Sequence, residues 1–260
     1  MADAVLRDLS VLAMLARREV LRFLRSPVRA LGGLVQPALF VLVLGYGLNP
    51  VVDRIGGVDF RQFVFPGAVA VSVATTALFA AATTVRDRES GFLRQVLVAP
   101  VARSAIVAGK VAGAAGVAVL QGALVLALAP LVDLPLTLGL AAKVLAAAAA
   151  VGLVMGALGF WVAAAVRRLE GFQGIVQFVL FPMVFLSGAL FPLDLLPNWL
   201  ALLSRLNPLT HAVLPMRRLM LESAPGADPA AFTSAGGFLV LVALGGLFAV
   251  GCMWEATRRD

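Results

Sequence analysis

Few residues in this chain have the type and spacing to do chemistry. Gly109-Lys110 is its sole Gly-Lys pair. A phosphate-cradling loop needs a glycine, four residues, then Gly-Lys-Ser/Thr, so that backbone N–H groups and the lysine converge on the phosphates. Ser104 stands where the first glycine belongs and Val111 where the hydroxyl belongs, so no nucleotide site of that kind is expected. Ser187 and His211 have the types of a nucleophile and its base. Phe185-Leu186 precede the serine, however, with no Gly-rich turn to shape an oxyanion hole. A serine in an apolar helix ordinarily packs or bonds back to its own helix, so no catalytic residue is expected. His211 and Cys252 are single representatives of their types. Neither can assemble a metal site, and a lone cysteine forms no disulfide within one chain.

Ion coupling would require ionisable side chains deep in the membrane. The apolar runs offer Gln36, Thr75, Thr76, Thr83, Gln121, Gln177 and Ser187 instead. Lys110 and Lys143 fall near the ends of such runs, where a lysine can snorkel to the interface. No membrane-buried ion pair is expected, so the energy for any transport must come from outside this chain.

The elements that would position these residues are set by hydropathy. The sequence is 61% hydrophobic and 13% charged, against roughly 45–50% and about 25% in soluble domains. A soluble fold has too little polar surface to cover so much apolar side chain. The expected class is an all-α integral membrane protein. A spanning helix needs about 20 mostly apolar residues, and six runs qualify: 28–48, 63–85, 105–131, 138–166, 175–191 and 238–254. The expected domains are a cytoplasmic amphipathic helix at 1–27, a six-span unit at 28–254 and a cytoplasmic tail at 255–260. Acids and bases run through the first 25 residues, so no signal peptide is expected. Of the 21 Lys and Arg, 15 fall on the side that holds both ends of the chain. The positive-inside rule makes that side cytoplasmic. The net charge of +7 then reflects loops facing anionic lipid rather than nucleic acid.

Three segments outside the spans stand out. Arg18, Arg22, Arg25 and Arg29 recur at four, three and four residues, one face of a helix, with Leu9, Leu12, Ala16, Val20, Phe23 and Leu24 largely off it. This reads as an amphipathic helix in the cytoplasmic interface, broken by Ser26-Pro27. The stretch RDRESGFLRQVLVAPVARS, 86–104, separates runs two and three. Its first twelve residues can form an amphipathic helix with Phe92, Leu93, Val96 and Leu97 on one side and Arg86, Arg88, Glu89 and Arg94 around it, ended by Pro100. Such a helix either rests on the membrane surface or fits a groove on a partner. Between runs five and six, the pieces 199–206 and 210–221 look helical but are too short to cross. They suit short helices dipping into the outer leaflet, among Pro192, Pro197, Trp199, Asn207 and Pro208. Gly109-xxx-Gly113 and Gly152-xxx-Gly156 invite close helix packing, within one subunit or at a dimer seam.

FPGAVAVSVATTALFAAATTVRDRESGFLRQVLVAPVARSAIVAGK and FPMVFLSGALFPLDLLPNWLALLSRLNPLTHAV resemble the two signature regions of ABC type-2 exporter permeases, the daunorubicin-resistance and nodulation-factor export branch. Their order, the six runs and the basic N-terminal helix extend the resemblance over essentially the whole chain. The resemblance implies a multi-pass plasma (inner) membrane protein that carries out drug-resistance-type efflux. Two copies, most simply a homodimer with spans one and five at its seam, would dock two cytoplasmic ABC ATPase subunits. ATP and Mg would bind those partners, leaving no cofactor in this chain. The coupling helix of the family maps onto 86–101, with Arg86, Asp87, Arg88, Glu89, Gly91, Phe92, Leu93, Val96, Leu97 and Pro100 at the docking surface. Its interfacial helix maps onto 6–25 and its short outer-leaflet helices onto 192–221. Many members carry an acid where this chain has Gln95, so the docking helix carries over without a salt bridge at that position. The implied cargo is hydrophobic: drug-like, lipid or lipid-linked saccharide. Two other readings keep the hydropathy, a non-transporting membrane scaffold and an ion-gradient-driven carrier. The scaffold needs neither the loop helix nor the dipping outer segment, and the carrier needs buried charge.

Overall fold

The computed structural model describes residues 2–52, 54–91, 102–222, 240, 243–248, 250 and 251. Among them the fold is all-helical, with a lone bridge between Ile55 and Val58. Helix α1 covers Ala2–Leu24 and α2 covers Pro27–Leu39, continued by a π-helical turn over Phe40–Tyr46. Helix α3 covers Phe60–Ala80 and runs through a kink at Ala81 into α4, Ala82–Glu89. Then come α5 at Arg103–Leu126, α6 at Leu138–Ala165 and α7 at Leu169–Leu186. Two short helices close the described fold, α8 at Asn198–Leu206 and α9 at Pro208–Leu221.

Among the described residues, five helical stretches are long and apolar enough to cross a membrane: Pro27–Tyr46, Phe60–Glu89, Ser104–Leu126, Leu138–Ala165 and Leu169–Leu186. They match the first five expected runs, shifted by a few residues at the ends. Eight of the 17 residues of the sixth, 238–254, lie outside the described residues, and the nine described ones, 240, 243–248, 250 and 251, are helical. Phe60–Glu89 has 30 residues, about 45 Å of helix against a hydrocarbon core of about 30 Å. Its last turns, α4, therefore project beyond the apolar layer at the arginine-rich end.

Helix α3 is the centre of the bundle. Its span is 83% buried, while those of α2 and α7 are 17% and 22% buried. The difference follows from side-chain size. Small residues let neighbours close onto a central helix, and without a hydrophobic force between helices in lipid, such contact is what holds them together. On α5, Gly109, Gly113 and Gly116 make a groove for α1: a methyl on each would fall 2.9 Å from Leu12 Cα, 2.9 Å from Glu19 Cβ and 2.7 Å from Val20 Cγ2. On α6, Gly152 and Gly156 meet Ala115, Ala118 and Ala114 of α5 in the same way. Both glycine pairs thus serve packing inside one subunit.

A polar thread joins α2, α3 and α5. Pro37 has no N–H, which leaves the Gly33 carbonyl without its helical donor. Ser72 Oγ donates to that carbonyl at 3.1 Å, and Gln121 Nε2 donates to Ser72 Oγ at 3.1 Å. Gln121 is fully buried, and its carboxamide occupies the space a side chain on Gly33 would need.

Gly152→Ala places a methyl 2.6 Å from Ala118 Cβ and 2.7 Å from Ala115 Cα. We expect it to destabilise the detergent-solubilised protein by about 1–3 kcal/mol, the usual cost of overpacking. Gly174→Ala, which meets nothing within 4 Å, should leave thermal unfolding unchanged.

Candidate functional site

The densest charge cluster gathers where α4 leaves the bundle. Asp87 is buried, 6% exposed. Arg18 presents both terminal nitrogens to its carboxylate at 3.4 Å, Arg22 adds one at 3.4 Å, and Lys110 Nζ lies at 3.3 Å. Lys110, itself 4% exposed, also donates to Thr84 Oγ1 at 2.8 Å. Beside it, buried Glu19 accepts from Thr83 Oγ1 at 3.1 Å and pairs with Arg22 at 3.6 Å. Three cations and two carboxylates from α1, α4 and α5 therefore share one protein-covered site. Each charged group there is hydrogen-bonded, the condition under which burial of charge is tolerated.

This corrects two expectations. The sequence suggested a snorkelling Lys110; the structure pairs Lys110 with Asp87 inside the protein. The arginine face of α1 was expected to meet lipid headgroups; Arg18 and Arg22 turn inward to Asp87, and Leu6, Leu9, Met14 and Leu24 are exposed instead. Arg25 is exposed at the end of α1.

The next two residues on α4 hold other helices. Arg88 Nη1 donates to the carbonyls of Ala163 and Val166, at 3.0 and 2.6 Å. These are among the terminal acceptors that α6 leaves unpaired. Glu89 Oε1 accepts from the Leu169 N–H at 2.9 Å, a first-turn donor of α7. One cation at a helix C-terminus and one anion at a helix N-terminus also suit the two dipoles. Arg86 is exposed. Gly91 then adopts φ +75°, the left-handed residue that ends a helix. The helix expected to run unbroken through Gly91 instead stops at Glu89. Phe92, Leu93, Gln95, Val96, Leu97 and Pro100 lie outside the described residues. The chain re-enters at Ala102, whose N–H donates to Asp8 Oδ1 of α1 at 3.2 Å. Both ends of 92–101 are therefore fastened to the bundle.

At the opposite end, the carbonyls that α7 leaves unpaired are met by the segment before α9. Asn207 Nδ2 donates to Met183 O at 2.7 Å, its Oδ1 caps the Leu209 N–H at 3.0 Å, and Thr210 Oγ1 donates to Leu186 O at 3.1 Å. Pro208 occupies the first turn of α9, where a missing N–H costs nothing. Pro192 and Pro197 bracket a short 3₁₀ turn, and Trp199 on α8 is 65% exposed. Ser187 Oγ bonds back to Val184 O at 2.7 Å, and His211 bonds Arg205 O at 2.8 Å, so the two do not form a catalytic pair. Sequence reasoning missed Arg217. It is buried on α9, donates to the carbonyls of Phe63, Gly188 and Ala189, and lies 3.7 Å from the Phe63 ring centroid. A guanidinium satisfied by carbonyls and a ring face pins α9 to the start of α3. Its only sequence signal was a cation in the apolar run PMRRLM.

The described residues thus show two little-covered apolar helices and a long second span whose foot is tied to α1, α6 and α7. The family model for ABC-2 type transporters matches residues 10–221. The chain belongs to the ABC-2 type transporter family. Nodulation protein J of Rhizobium leguminosarum bv. trifolii is 34% identical over 193 residues, 74% of this chain and 73% of the relative. Nodulation protein J of Sinorhizobium fredii is 31% identical over 227 residues, 84% of each chain. The putative transport permease ycf38 of Cyanophora paradoxa is 28% identical over 218 residues, 82% of this chain and 75% of the relative. The matched span contains α1 from Ser10 onward, the five apolar spans of the described residues and α9, so this ABC-2 permease is a multi-pass membrane transport component.

Removing one member of the buried cluster leaves the others uncompensated. Asp87→Asn should lower the unfolding free energy in detergent by about 3–5 kcal/mol. Adding Lys110→Met, which removes the stranded charge, should recover more than half of that loss in chemical-denaturation curves.

Proposed function

We propose that this chain is the permease half of an ATP-driven exporter, working as a pair of identical subunits on two cytoplasmic ATPase subunits. The observation that carries this reading is the anchoring of the residues on either side of 92–101. Residues 92–101 leave from Gly91, next to the residues that grip α6 and α7, and return at Ala102, tied to α1. A segment held at both ends passes a push from a partner to four helices at once. In this reading Phe92, Leu93, Val96 and Leu97 seat in a groove of the ATPase, with Pro100 ending the docking helix. Asp87, Arg88 and Glu89 transmit the push rather than touch the partner, because their side chains are already bonded within the subunit.

The orientation follows from charge: the end with α1 and α4 is cytoplasmic, in the plasma membrane, with both termini on that side. The pairing of two copies is supported by α2 and α7, whose spans are the least covered in the single chain. They are also the two that the family resemblance places at the seam. The exposed rings of Phe178, Phe181 and Phe185 lie on α7. Helices α8 and α9 then lie in the outer leaflet, near the exit of a path between the subunits. The cargo in this reading is an amphipathic or hydrophobic molecule, since the described spans present apolar and hydroxyl side chains rather than a binding set for an ion.

The test is capture of tagged protein from its own cells in mild detergent. A stoichiometric ATPase should co-purify and should be lost, at least tenfold, on Leu93→Asp. A chain that purifies without an ATPase, or an ATPase retained at full yield by Leu93→Asp, would overturn the reading.

A further inference from the structure

A cleft of about 240 Å³ opens beside the Asp87 cluster, bounded by α1, α2, α3, α4, α5 and α7. Arg29 of α2 and Arg86 of α4 both line it. Neither guanidinium makes an ion pair or hydrogen bond with any described residue. Glu19 also borders the cleft, but its charge is met by Arg22 and its oxygen by Thr83. The cleft therefore keeps two uncompensated cations. Thr75, Thr76 and Gln173 add neutral polar groups, and Thr75 Oγ1 is buried without a hydrogen-bond partner. A buried hydroxyl left unmatched is uncommon in folded proteins. Phe79 and Val117 make the opposite, apolar wall.

We propose that this cleft binds the phosphate-class headgroup of a tailed cargo at the inner mouth of the transport path. Two guanidiniums and the threonine hydroxyls supply more donors than a carboxylate has oxygens, and they suit the three terminal oxygens of a phosphate ester. The volume accommodates a phosphate headgroup. In the exporter reading α2 and α7, on the flanks of the cleft, face the path between the two subunits, so a chain attached to that headgroup can lie along it. The buried ion cluster behind the cleft holds Arg86 in place through α4 while using none of its charge. The inference deepens the exporter reading by naming the chemical class of the cargo.

The test uses the full-length permease in neutral detergent without its ATPase, so its outcome is separate from the capture experiment on Leu93. The probes are dioctanoyl phosphatidic acid and the uncharged dioctanoylglycerol, followed by native mass spectrometry. Phosphatidic acid should bind at least tenfold more tightly. The Arg29→Gln/Arg86→Gln variant should abolish that preference, while Arg25→Gln, exposed at the same end but outside the cleft, should keep it. Both altered arginines are exposed, so the variant is expected to fold, and unchanged thermal unfolding checks this. Equal binding of the two probes, or equal loss in all variants, would overturn the proposal. Inorganic phosphate at matched concentration separates the sources of the anion. No displacement supports a tailed headgroup, and full displacement assigns a free anion and overturns the tailed cargo.

Discussion

A single carboxylate, Asp87, faces Arg18, Arg22 and Lys110 at the foot of the central span. These partners come from 69, 65 and 23 residues away along the chain. Burying that carboxylate without them would cost several kcal/mol. With them, the cost is offset only if α1, α4 and α5 hold one relative position. The glycines of α5 make that position reachable, because they let the backbone of α1 come close enough for Arg18 and Glu19 to point inward. Charge and packing here specify each other: larger residues in the groove would lift α1 and strand Asp87.

From that fixed point the connections run outward. Arg88 and Glu89 follow Asp87 on the same short helix and take the free ends of α6 and α7. Four successive residues thus supply a cleft-lining cation, a buried hub, a C-terminal clamp and an N-terminal clamp. A helix turns by about 100° per residue, which is why neighbours in sequence reach different helices. The opposite end is held by different means. Arg217 and Asn207 satisfy loose carbonyls with neutral or cationic donors and no buried carboxylate. Displacement at the arginine-rich end must therefore break ion pairs or move α4 and the ends of α6 and α7 together.

The sequence was most informative where hydrophobicity is the physical determinant. Five apolar runs became five helices with ends shifted by a few residues, and the two short helices before 222 were legible from their prolines and caps. What was not legible was the direction of individual charged side chains. The spacing of Arg18 and Arg22 defines a face, but not whether that face meets lipid or protein; Asp87 decides it, from far along the chain. Lys110 looked like a snorkelling residue because its position in the run is known and its neighbours in space are not. The break at Gly91 was available in the sequence, since a glycine after a charged helix end is a common stop signal. It lost to the amphipathic pattern that continues beyond it. Arg217 was hidden by its neighbour Arg218, which pairs with Glu222 at the surface as an exposed cation commonly does.

In the proposed exporter, the foot of span two moves as one body with the ends of α6 and α7 when ATP drives the cycle. Spin labels at Ser90→Cys and Glu170→Cys in a Cys252→Ala background, in permease reconstituted with its ATPase, measure this by pulsed electron–electron resonance. The account predicts that the Ser90–Glu170 distance within a subunit stays constant between nucleotide-free and ATP–vanadate states, while the Ser90–Ser90 distance between subunits changes. A change within the subunit, with the distance between subunits constant, would contradict it.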